Sequence, residues 1–160
     1  GAGPFLFVLA IGLLALRVAV GLWLPVIFVL GGLGGAVLHW NAVSLSLGWV
    51  EIGVTGSLAL AGFFLAQEAA PRSLMMLGLG AIAGLFHGYA FGEAIFGAEM
   101  TPLWSYLLGL TLVQLAVAAA VYGGAKVWGD RVLKNPATVL RYAGFTFLGA
   151  GLALLSGVVV

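Results

Sequence analysis

The chain has two histidines and five acidic residues, and where they fall limits the chemistry open to it. His87 lies in the stretch 77–102 with Glu93 and Glu99. An imidazole and carboxylates in one segment offer the nitrogen and oxygen donors that hard or borderline divalent cations accept. His39 and Glu51 flank a second polar connection, HWNAVSLSLGW, and would join the first group if the two connections met in space. Each residue also has a plainer role open to it. His87 would serve as a hydrogen-bonded bridge between helices, Glu93 and Glu99 as solvated carboxylates, and His39 as an interfacial histidine in water. Gln114 falls near the middle of an apolar run, where an amide either bonds a neighbouring helix or lines a polar path. Met76, eleven residues before His87, points in nearly the same helical direction. Thioethers are soft ligands in principle and flexible core filler otherwise.

Other chemistries are poorly served. There is no cysteine, which excludes disulfides, thiolate ligands and cysteine nucleophiles. Neither HExxH nor G-x-S-x-G occurs, and no phosphate-binding loop is present. Ser57 in TGS and Ser156 in LSG lack an evident histidine partner in the sequence. The residues point to binding or transport rather than to an enzyme, and a net charge of +1 gives no reason to expect nucleic acid.

The elements that must hold these groups are membrane helices. The chain is 63% hydrophobic and 7% charged, with a mean hydropathy of +1.22, whereas soluble domains carry about 25% charged residues. Apolar runs approaching 20 residues fit helical spans, and the strict alternation of a barrel strand is absent. We expect a single domain over 1–160, an all-α bundle of six transmembrane helices at about 4–16, 24–39, 50–66, 73–90, 103–128 and 138–158. The acidic, glycine-rich segment after residue 90 either continues the fourth helix, breaks it or folds back into the membrane. Gly80, Gly84, Gly88 and Gly92 recur every four residues and predict a bare helical face for close backbone packing, one that His87 shares.

Orientation follows from the cations. Arg17, Arg72, Lys126, Arg131, Lys134 and Arg141 all fall at or near connections one-two, three-four and five-six. The positive-inside rule makes that face cytoplasmic and places both termini outside. Both histidines and three of the five acids then collect at the outer face. The start, GAGPFLF, has neither Met nor a basic segment, and a cleaved signal peptide is expected ahead of it.

The segment FHGYAFGE at 86–93, continued by AIFGAEMTP, resembles the second signature of the HupE/UreJ family, and in particular its cyanobacterial branch. The resemblance extends through GPFLFVLAIGLLAL, the glycine-rich second span ending in His39, and RYAGFTFLGAGLALLS. It implies a six- or seven-helix permease for nickel, associated with hydrogenase and urease, often made with a cleaved signal peptide. On that resemblance His87 is a metal ligand and Glu93 a ligand or its orienting partner. His39, Glu51 and Glu99 would then form a capture site at the outer mouth. Family members carry an Asp-His pair in the first helix where this chain has Gly3 and Pro4, and often histidine where it has Tyr89 and Phe91. The implied setting is a lipid bilayer, the plasma (inner) membrane or the thylakoid, with the chain as a homo-oligomer or a subunit of a larger complex. The other reading is a structural or pigment-binding subunit of a photosynthetic complex, with His87 or His39 on a chlorophyll magnesium and the 12% aromatic residues against its ring.

Overall fold

In hydrocarbon every backbone N–H and C=O must be bonded within its own segment, so continuous apolar runs coil into helices. The computed structural model describes residues 2–41, 44–95, 100–131 and 135–159. Among them are six α-helices and no strand: α1 Ala2–Leu14, α2 Trp23–Trp40, α3 Leu47–Ala66, α4 Ser73–Ala94, α5 Met100–Arg131 and α6 Pro136–Val159. The last five are long and apolar enough to cross a membrane. α1 is not, even when extended by the 3-10 turn Ala15–Arg17. The six expected helices are all present among the described residues, five of them long and apolar enough to span and α1 shorter. Gly21, at φ 53°, turns the chain from the 3-10 segment into α2, in a backbone region that side-chain-bearing residues rarely enter.

The acidic segment continues α4 through Glu93 to Ala94, with Ile95 at its C-cap. Glu99 and Lys134 lie outside the described residues. α5 spans 32 residues, about 48 Å at 1.5 Å per residue, more than the roughly 30 Å hydrocarbon layer.

Two helix pairs carry most of the packing, and both are built on glycine. α2 and α4 run parallel, with Leu24, Phe28, Gly32 and Ala36 meeting Gly80, Gly84, Gly88 and Gly92 in turn. A Cβ at Gly84 would run into the Phe28 carbonyl, and one at Gly88 into the Gly32 carbonyl. From the other side, Gly31 and Gly35 abut the backbone of Ala81 and Leu85. α3 and α6 run antiparallel: Gly151 meets the backbone of Ala59, and Gly144 that of Leu65 and Ala66. Bringing backbones this close gains dispersion contacts, the main attraction left between helices when lipid is as apolar as they are. α1 fits against α3 and α5 through Phe7, Ala10, Ile11 and Leu14, all nearly fully buried.

One end of the bundle is tied by arginine. Helix C-termini leave carbonyls without partners, and cations suit their negative dipole end. Arg17 donates to the carbonyls of Leu65 at 2.8 Å, Gln67 at 2.6 Å and Glu68 at 3.0 Å. Arg141 donates to the Ala66 carbonyl at 3.1 Å and pairs with the Glu68 carboxylate at 3.1 Å. The end of α3 is thereby joined to the end of α1 and the start of α6.

Candidate functional site

His87 occupies the fifteenth position of the 22-residue α4, about 10 Å below its C-terminal end at 1.5 Å per residue. The bare glycine face turns this side of α4 into the bundle, so the imidazole is only 1% exposed. Phe7 of α1 and Phe28 of α2 enclose it, with ring centroids 4.7 and 5.3 Å from its own. The two phenyl rings also pack on each other, 4.9 Å apart.

Among the described residues, one polar side chain reaches the imidazole. Ser57, on α3, places its Oγ 3.0 Å from His87 Nε2. The same hydroxyl donates to the Val54 carbonyl at 2.7 Å. A serine has a single hydroxyl hydrogen, so with that hydrogen on Val54 the oxygen accepts from His87. Nε2 therefore carries the ring proton and Nδ1 is left as a bare lone pair. Nδ1 is buried and has no hydrogen-bond partner among the described residues. Leaving a buried acceptor unsatisfied costs about 1–3 kcal/mol, so an occupant that can take the lone pair is favoured there.

Two spaces adjoin this group. A cavity of about 300 Å³ lies between α1, α3 and α4, and Ser57 is the one hydroxyl among its otherwise apolar lining, which includes Met76. A much smaller crevice of about 10 Å³ lies between α2, α4 and α5, bordered by His87 and by Thr111 and Gln114 of α5. That is room for about one water.

The remaining candidate residues are spread towards the end of the bundle remote from the arginines. His39, in the last turn of α2, is half-buried and meets Tyr89 edge to face at 4.7 Å. The Tyr89 hydroxyl in turn accepts from the Leu45 amide at 2.9 Å. Glu51, in the second turn of α3, and Glu93, in the last turn of α4, are exposed. The structure thus brings His87 together with Gln114, and Met76 with Ser57, while Glu51 and Glu93 stay at the surface. Among the described residues no three His, Asp or Glu side chains gather closely enough to hold a metal.

Ser57 is the residue that sequence reasoning missed. The expectation that it lacks a histidine is corrected by its contact with His87, 30 positions away. The available signal was a hydroxyl in the middle of an apolar span, where a polar group needs a partner.

A family model described as HupE / UreJ protein matches residues 1–154 of the chain. No curated protein and no solved structure matches it.

Proposed function

This chain belongs to the HupE / UreJ family, and from that membership we propose that it is a membrane permease for a divalent transition metal, nickel before others. The family is associated with nickel or cobalt uptake for the maturation of hydrogenase and urease. The observation that carries the proposal to a residue is the buried Nδ1 of His87, which has no hydrogen-bond partner among the described residues. Neutral imidazole nitrogen is a good ligand for nickel. In a low-dielectric bundle a divalent ion crosses only if some group replaces its water, and it leaves again only if those groups are few. A single neutral nitrogen is one such group, and it holds the ion weakly enough to release it. Ser57 acts through the ring by fixing its proton on Nε2, the outer-shell role that keeps a metal-binding imidazole in the right tautomer.

The arginine-rich end supports a cytoplasmic assignment for that face by the positive-inside rule. The ion then enters from the opposite end, where His39, Glu51 and Glu93 lie and to which Glu99 belongs by sequence. Exposed carboxylates there would raise the local cation concentration and pass the ion inward to His87. No nucleotide-binding loop occurs in the sequence, and the chain alone would act as a facilitator or draw on a gradient.

The test is uptake of radioactive nickel at limiting concentration by cells expressing the wild type or His87→Ala, at matched membrane abundance. Loss of a direct ligand is expected to lower the initial rate at least about tenfold. Wild-type flux in His87→Ala would remove His87 from the path.

A further inference from the structure

α5 and α6 follow one another in the chain, yet among the described residues they barely touch. They come together where Gly129 abuts the ring of Pro136. Inwards from there a cleft of about 490 Å³ separates them, floored by Leu13 of α1 and Leu16 of its 3-10 extension. The lining is apolar except along α5, where Tyr122, Lys126 and Trp128 border it. Lys126 and Trp128 are exposed, and the Lys126 ammonium stands over the Tyr122 ring, 6.0 Å from its centroid. We propose that this cleft is a binding site for one anionic phospholipid, with an acyl chain laid against Leu13, Leu16 and Leu140 and the phosphate held by Lys126.

Filling, depth and charge each favour this occupant. An empty apolar cleft forfeits the dispersion contacts of its walls, and water would find few polar partners in it, so within a bilayer hydrocarbon fills it. Tyrosine and tryptophan settle at the headgroup level, and α5, at about 48 Å, is long enough to carry this end out to it. Lys126 therefore lies at the depth of a phosphate, with its methylene stem along the apolar wall. Over 126–141 the sequence carries Lys126, Arg131, Lys134 and Arg141 against Asp130, and Arg141 is paired with Glu68. The surplus positive charge at the membrane surface selects an anionic headgroup. A second copy of the chain in the same orientation would instead bring a like basic end to the same level. Because α6 is held to the bundle mainly through α3, the lipid would join it to α1 and α5 as well. The proposal is independent of the permease reading.

The experiment is native mass spectrometry of the purified full chain, titrated with phosphatidylglycerol or with phosphatidylcholine of the same acyl chains. Wild type, Lys126→Gln, Lys126→Arg, Arg131→Gln and Ala143→Phe are compared. Wild type is expected to bind one phosphatidylglycerol about fivefold more tightly than phosphatidylcholine, the preference that one basic side chain near the surface supplies. Lys126→Gln should lose that preference and Lys126→Arg keep it. Arg131 does not border the cleft, so Arg131→Gln should keep it too. Ala143→Phe fills the cleft and should weaken both lipids. Equal binding of the two lipids by wild type, an unchanged preference in Lys126→Gln, or an equal loss in Arg131→Gln would overturn the site. Displacement of phosphatidylglycerol by inorganic phosphate at equal concentration would overturn it as well, as would dimers that Ala143→Phe converts to monomers. Should Ala143→Phe fail to fold, Lys126→Gln against Lys126→Arg, at an exposed position, decides.

Discussion

A serine hydroxyl has one hydrogen to give, and its direction sets the tautomer of His87. Because Ser57 donates to the Val54 carbonyl, it can only accept from the imidazole, and the ring presents an unprotonated Nδ1. With just two histidines in the chain, 15N labelling of histidine resolves both rings. His87 is expected to show a protonated Nε2 and a bare Nδ1 in the wild type. In Ser57→Ala the ring loses that fixed tautomer, and nickel uptake falls about tenfold, as when an outer-shell partner is removed from a metal ligand. A wild-type spectrum with the proton on Nδ1 would contradict the assignment. The inward direction of His87 was legible in the sequence, because Gly84 lies three residues before it and Gly80 seven, putting all three on one helical face. Its partner was not legible, since Ser57 is on a different helix and only tertiary packing brings α3 beside α4.

At the scale of elements, the parallel α2–α4 seam holds His87 in place. Gly88, next to His87 in sequence, has the Gly32 carbonyl where a Cβ would sit, and both structures at that point are backbone. Gly88→Ala must push the helices apart, at an overpacking cost of about 1–3 kcal/mol. Gly78 is on the same helix with nothing within 4 Å of an added Cβ. Gly78→Ala should stabilise by about 0.5–1 kcal/mol, because glycine is a poor helix residue. Unfolding of the two variants in one detergent checks the pair: opposite signs are expected, and equal effects would contradict the seam. The four-residue glycine period announced a close contact but not its partner. On the α2 side the row that meets them is Leu24, Phe28, Gly32 and Ala36, with a single glycine, and the α2 glycine pair Gly31 and Gly35 lies on the adjacent row. The continuation of α4 through Glu93 was also open in the sequence, because a glycine-rich segment is compatible with a helix, a break or a turn.

At the scale of the whole molecule, the class of protein was written in the composition, and the charges separated the two ends of the bundle. What composition did not convey is how α1 is placed in the assembled bundle. Arg17 binds the carbonyls at the end of α3 while Phe7 of the same helix packs on His87. The first helix thus lines the site with Phe7 and leads into the 3-10 turn anchored by Arg17. The bundle then offers a cation a sheltered imidazole about 10 Å from the end of α4, with carboxylates exposed at that end. The most direct test of this arrangement is nickel flux into liposomes carrying only the purified chain, followed with a metal-sensitive dye trapped inside. Wild-type chain should admit nickel well above empty liposomes, and His87→Ala should cut that rate at least about tenfold. Wild-type flux no faster than in empty liposomes, or His87→Ala as fast as wild type, would contradict the account.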